Sequence, residues 1–295
     1  MRQILLLIFG MGFFTTFSQS DPSTLRVIVV GAHPDDCDIK AGGTAALFAQ
    51  MGHAVKFLSL TNGDAGHQTE GGGALARRRR AEAKKSGEQL GVVYETLDNH
   101  DAELIPTLEV RHQLIRHIRK WDADVVIGHR PNDYHPDHRN AGKLVQDAAF
   151  LVIVPNVCSD TPPLEKNPLF LYMEDRFQRP NPFSPDIVVD IGPTLETKID
   201  ALDAHESQMY EWLPWINDRS LKQVPKDHTA RKIWLGEQTK RRSGKMTPEK
   251  KECLVKWYGQ DRAKSILYTE AFEIAEYGLQ PNDETIRELF PILPD

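Results

Sequence analysis

Between residues 25 and 191, short apolar runs alternate with longer segments whose apolar positions recur at helical spacing. The runs 25–31, 55–60, 92–97, 124–128, 169–173 and 187–191 predict strands. The first of them, LRVIVVG, is β-branched and has no polar alternation, as a strand covered on both faces requires. Segments 40–52, 74–90, 107–121 and 138–153 predict helices, the second stopping at Gly91. Residues 62–73 (NGDAGHQTEGGG) are glycine-rich and predict a mobile loop, and the Pro/Asn-rich stretch 155–168 predicts another. A helix is expected after Pro193, running to about residue 212. From there to the end the spacing predicts irregular chain with helical stretches near 248–258 and 283–290. Strands alternating with helices of this length predict an α/β fold: a Rossmann-like open, mostly parallel sheet with helices on both faces. One domain is expected over 21–295, with a C-terminal extension from about 213.

Residues 1–20 stand outside this pattern. Arg2 precedes a nearly unbroken apolar run to Phe17, and Ser18 and Ser20 sit two apart. That arrangement predicts a cleaved export signal, with the product periplasmic or extracellular. The run falls short of a comfortable span of about 20 residues, so no stable membrane span is expected after cleavage; an uncleaved anchor is the alternative.

Hydrophobic residues make up 40% and charged residues 26% of the 295, enough apolar content for a sizeable core and against disorder along the whole chain. Lys and Arg total 36 against 42 Asp and Glu, a net charge of -6, the wrong sign for a nucleic-acid binder. The three cysteines cannot build a disulfide framework. Export leaves room for a Cys158–Cys253 bridge, though the spacing does not demand one.

In an open parallel sheet, ligands bind beyond the carboxyl ends of the strands. The first predicted strand runs into residues 31–38 (GAHPDDCD) and the fourth into 129–138 (HRPNDYHPDH). Both deliver histidine and aspartate to one edge. His33 and Asp36 are three apart, as are His135 and His138, a spacing that lets two side chains converge at a tight turn or helix start. Imidazole with carboxylate is a zinc-type donor set, and three protein ligands with one open position is its catalytic form. A single HxxD pair is usually a surface or capping feature; two such clusters at adjacent strand ends are harder to dismiss. No GxGxxG follows the first strand, which disfavours a dinucleotide cofactor.

AHPDD at 32–36 followed by HPDH at 135–138 resembles the PIG-L/LmbE-like zinc-dependent N-acetyl-sugar deacetylases. That family includes the GlcNAc-phosphatidylinositol deacetylases and the mycothiol and bacillithiol pathway deacetylases. The resemblance spans roughly 25–275. Thr61-Asn-Gly63-Asp64, the pair Arg79 and Glu82, Lys198 with Ala204-His205-Glu-Ser207-Gln208, and Tyr268-Thr-Glu270-Ala-Phe272 resemble further family motifs, with Thr269 in place of the usual Ala. The resemblance implies that His33, Asp36 and His138 bind Zn2+, that Asp35 is the general base, and that a protonated His135 stabilises the oxyanion with Asp137 as its partner. It also directs Arg79 and Asp64 toward substrate, while His205 either reaches substrate at the metal site or is a hydrogen-bonded core histidine. Mixed His/carboxylate ligation admits other divalent metals.

The remaining chemistry-bearing residues each carry a plainer reading. Arg77 to Arg80 is either a phosphate clamp or, Arg79 apart, a solvated helix face. Tyr210, Trp212 and Trp215 either stack on a sugar or pack a helix end. Cys37 reads as a buried, inert thiol; His129 and Asp133 either shape the pocket or are exposed turn residues. The expected activity is removal of an acetyl group from an N-acetylated amino sugar or glycan. Another amide or ester hydrolysed on the same scaffold, and a carbohydrate-binding protein without turnover, are the alternatives.

Overall fold

The computed structural model describes residues 24–294. The expected export signal lies outside them. Seven strands form one sheet in the order β3-β2-β1-β4-β5-β7-β6. In chain order these are β1 (Arg26–Gly31), β2 (Ala54–Thr61), β3 (Val93–Asn99), β4 (Val125–Gly128), β5 (Leu169–Met173), β6 (Ile187–Asp190) and β7 (Thr269–Gly278). The first five pair in parallel; β7 runs antiparallel to both of its neighbours. The mostly parallel α/β architecture expected from the pattern is therefore present.

The helices are α1 (Asp36–Gln50), α2 (Gly72–Leu90), α3 (Leu108–Trp121), α4 (Pro136–Leu151), α5 (Leu195–Ala204), α6 (Leu213–Asp218), α7 (His228–Ser243), α8 (Pro248–Ala263) and α9 (Asp283–Leu289). They cover both faces of the sheet. Along β1, Val27 and Val29 face a core with Ala45 and Phe48 of α1 and Leu254 and Trp257 of α8. Ile28 and Val30 face the other core, with Leu114 and Ile118 of α3 and Leu144 and Ala148 of α4. That two-sided burial explains the unbroken apolar run.

The chain after residue 213 differs from expectation. The helices expected near 248–258 and 283–290 are present as α8 and α9, but α6 and α7 form as well, and the segment supplies β7, which lies within the sheet between β5 and β6. The sequence of β7, TEAFEIAEYG, spaces three glutamates at intervals of three and reads as a helix surface rather than a strand. Tertiary contacts override that: Glu270 is buried, pairs with Lys198 at 2.6 Å, and accepts the backbone N–H groups of Gly43 and Thr44 at 2.9 and 2.7 Å. The helix expected to reach 212 instead ends at Ala204, and a π-helical turn (Ser207–Trp212) follows. Glu82 fixes that turn by accepting from the Ser207 backbone N–H at 2.9 Å and its hydroxyl at 2.6 Å.

The strand order places the site. From β1 the chain proceeds outward through β2 and β3, then returns to β4 on the other side of β1. The carboxyl ends of β1 and β4 are thus neighbours at the topological switch point, where such sheets bind ligands.

Candidate metal centre

The turn after β1 and the loop after β4 bring His33, Asp36 and His138 together. His33 Nδ1 lies 3.2 Å from His138 Nε2 and 3.4 Å from Asp36 Oδ2; His138 Nε2 lies 3.4 Å from Asp36 Oδ1. A tetrahedral ion with bonds of about 2.0–2.1 Å has ligand atoms about 3.3–3.4 Å apart. The three groups therefore have the spacing and the donor chemistry of a divalent-metal site.

The opposite ends of both histidines are held as metal-binding imidazoles are usually held. His33 Nε2 faces Asp101 Oδ1 at 3.2 Å and Asp137 Oδ2 at 3.3 Å, and His138 Nδ1 faces Asp133 Oδ1 at 3.0 Å. Asp36 Oδ2 accepts the backbone N–H groups of Ala32 and His33 at 3.0 and 2.8 Å and lies 3.2 Å from His129 Nε2. His129 stacks on His138 with ring centroids 4.4 Å apart. Burial alone would raise the Asp36 pKa, but His138 and His129 bring it well below the usual carboxylate range. Burial would lower that of His33, but Asp101, Asp137 and Asp36 raise it well above the ordinary value. The carboxylates that favour a proton on His33 would equally favour a bound cation in the proton's place.

Asp35 is buried beside the ligands, at the N-cap of α1. Burial raises its pKa, with Arg79 opposing. Arg79 Nη2 lies 3.4 Å from Asp35 Oδ1, and Nη1 lies 3.4 Å from Asp101 Oδ2 and 3.1 Å from the Gly63 carbonyl. His135 caps α4, its Nδ1 accepting the backbone N–H of Asp137 at 3.2 Å. That bond leaves the ring proton on Nε2. Burial and the neighbouring His33 and His138 also lower the His135 pKa, which works against the expected protonated ring.

Three further placements differ from the expected roles, and that of His205 is the core alternative. The Asp137 carboxylate serves His33 rather than His135, and it also accepts the backbone N–H groups of Ala102 and Leu104 at 2.7 and 3.2 Å. Arg79 is only 2% exposed, so it positions Asp35 and Asp101 and has no free face for substrate. Asp64 is occupied by the Asp101 backbone N–H at 3.0 Å and by His100 at 2.6 Å. His205 is fully buried against Asp38, Nε2 to Oδ2 3.2 Å, which raises its pKa against the effect of burial. Its environment is core, because Asp38 also receives Ser86 and Tyr94.

Asp101 was not anticipated, although Asn99-His100-Asp101 closes β3 on the same sheet edge and offers the same kind of signal as the other two strand ends. The arginine run divides: Arg78 pairs with Glu211 and Glu70, and Arg80 with Asp98. Tyr210 is buried, while Trp212 and Trp215 stack on each other at 5.7 Å. Cys37 is buried with its thiol pKa raised, first by burial, as an inert cysteine requires. Cys158 and Cys253 are free and pack in the cores on opposite faces of the sheet, so they do not bridge.

A family model described as PIG-L, GlcNAc-PI de-N-acetylase, matches residues 28–149, which contain every residue of the centre. Diacetylchitobiose deacetylase of Thermococcus kodakarensis is 34% identical over 212 residues, covering 66% of this chain and 76% of the relative. The chain belongs to the PIG-L family. Among solved structures, the N,N'-diacetylchitobiose deacetylase of Pyrococcus horikoshii superposes on this PIG-L protein with a TM-score of 0.63 and 26% identity, covering 84% of this chain and 83% of that one. A 4-oxalmesaconate hydratase of Pseudomonas putida is 26% identical, covering 63% of this chain and 74% of its own length. Among the described residues, no helix is long and apolar enough to cross a membrane.

Proposed function

We propose that this PIG-L protein is an exported, zinc-dependent hydrolase that removes the acetyl group from an N-acetylated amino sugar. One observation carries the reading: a buried carboxylate, Asp35, stands beside three converging metal-type donors, His33, Asp36 and His138, without being one of them. The similarity to two diacetylchitobiose deacetylases supports the substrate class. When bound by those donors, zinc supplies a Lewis acid that polarises a carbonyl and lowers the pKa of water to about 7.

The chain's own groups do the rest. Asp35 accepts the proton of the water that attacks the acetamide carbon, and a proton is passed to the nitrogen as the C–N bond breaks, releasing the free amine and acetate. Arg79 opposes the burial that raises the Asp35 pKa and holds the carboxylate in place. A ring nitrogen of His135 lies within 4.8 Å of those of His33 and His138, and its Nε2–H donates to the oxygen that gains charge. Asp101, Asp133 and Asp137 hold the two imidazoles in orientation.

The test is acetate release from a panel of N-acetylated sugars by the zinc-loaded protein. Acetate and free amine should appear in equal amounts and stop on chelation. A fully metal-loaded protein that binds these sugars but releases no acetate would contradict the reading and favour a binding role.

A further inference from the structure

Helix α1 carries the base Asp35 at its N-cap and the ligand Asp36 at its first position. The two carboxylates are restrained unequally. Asp36 is fixed by the backbone N–H groups of Ala32 and His33 and by the histidines around it. Among the described residues, the Asp35 side chain has one partner, the Arg79 guanidinium at 3.4 Å. Where Asp35 stands is therefore set largely by where the backbone of α1 stands.

One turn into α1, a buried ion pair from later in the chain meets that backbone. Lys198 of α5 and Glu270 of β7 lie 2.6 Å apart, each side chain only 3% exposed. Lys198 Nζ also donates to the Ile39 carbonyl at 2.8 Å, and Glu270 accepts the N–H groups of Gly43 at 2.9 Å and Thr44 at 2.7 Å. The Ile39 carbonyl and the Gly43 N–H are the two ends of one rung of an α-helix, so the ion pair grips both ends of that rung. Two glycines admit the approach, although glycine inside a helix is unfavourable. A Cβ on Gly42 would touch Lys198 Cγ at 3.4 Å, and one on Gly43 would lie 2.7 Å from Ile191 Cβ. Thr194 adds a hydroxyl donation to the Gly43 carbonyl at 2.8 Å. The preceding rung leads to the centre, because the Ile39 N–H donates to the Asp35 carbonyl at 3.0 Å. One helical turn, about 5.4 Å, thus separates the grip from the base.

Stability alone does not call for such a pair. Desolvation offsets much of the attraction between buried charges, and apolar side chains of similar volume often serve a core as well or better. What apolar side chains lack is direction, and here four directed bonds fix the height of the helix. We propose that Lys198 and Glu270 are positioning residues: their ion pair fixes α1 along its axis and so holds Asp35 at its working distance from the three metal donors. The role rests on the deacetylase reading, and it lies with residues outside the segment 28–149 that the PIG-L model matches.

The experiment compares the zinc-loaded full chain with its Lys198→Met/Glu270→Leu double variant, which puts apolar groups of similar volume in place of the pair. The substrates are N-acetylglucosamine and N,N'-diacetylchitobiose. The variant should keep about one ion per chain and the thermal stability of the native protein. Its KM should stay within about twofold while kcat falls about 10²-fold, the size expected when a reacting group is misplaced by about 1 Å. A role in core packing alone predicts the reverse, lower stability with unchanged kcat. Native kcat in the folded variant would therefore overturn the clamp. Amide hydrogen exchange gives a readout that needs no turnover: residues 36–44, Ile39 included, should exchange faster in the variant at unchanged global stability. Unchanged exchange there would also overturn the clamp. If the native protein releases acetate from no sugar, the deacetylase reading falls and the exchange result alone decides the clamp. Should the double variant not fold, Glu270→Gln decides instead, since it keeps the volume and one acceptor but loses the charge and the second oxygen. It should lower kcat at constant KM and speed exchange over the same residues; native kcat with native exchange would overturn the clamp.

Discussion

Asp35 and Asp36 are adjacent carboxylates with opposite environments. Asp36 is surrounded by three histidines and two backbone N–H groups, and the histidines bring its pKa well below the usual carboxylate range. Asp35 meets one guanidinium at 3.4 Å, and burial raises its pKa. The same pair thus supplies a ligand and a base. Asp35→Asn should retain metal and lose about 10²–10⁴-fold in kcat, measured by acetate release beside metal analysis. Arg79→Gln removes the charge that lowers the Asp35 pKa, so that pKa rises. The acidic limb of the kcat/KM profile should then move to higher pH; an unmoved limb would show that Asp35 does not set it. The ligand histidines and both aspartates were legible in the sequence because they cluster within a few residues of two strand ends. Asp101 was not, because its role depends on the third strand end folding over His33. The burial of Arg79 and Asp64 was equally hidden, since a motif shows which residues gather but not which of them reach solvent, and for His205 the core reading is the one the structure has.

The first half of the sheet was readable at the level of elements because each strand is covered on both faces and each helix has one apolar face. The π-helical turn and β7 were not, since both depend on distant partners: Glu82 for the turn, Lys198 and α1 for the strand. The centre itself depends on how closely α4 approaches the loop after β4. A Cβ on Gly142 would lie 2.7 Å from the His129 carbonyl oxygen and 2.9 Å from the Arg130 carbonyl, and both contacts are backbone. Gly142→Ala should therefore displace α4 and carry His138 away from Asp36. Metal affinity should fall about 10-fold or more, with a stability loss of about 1–3 kcal/mol. Metal titration and thermal unfolding check the two parts, and unchanged metal affinity would mean that the approach of α4 does not position His138.

For the whole molecule, the strand order places two His/Asp clusters side by side at the switch point, and the rest of the chain braces them. Export is a proposal at this scale. Mass spectrometry of secreted protein should find a new N-terminus near Asp21, whereas an intact Met1 on membrane-bound protein would establish the anchor instead. The central claim is that His33, Asp36 and His138 together hold one divalent ion while Asp35 does not, and metal content per chain tests it most directly. The purified protein and Asp35→Asn should each carry about one ion, and His33→Ala, Asp36→Ala and His138→Ala should each lose most of it. Full metal content in all three alanine variants, or loss of metal from Asp35→Asn, would contradict the assignment.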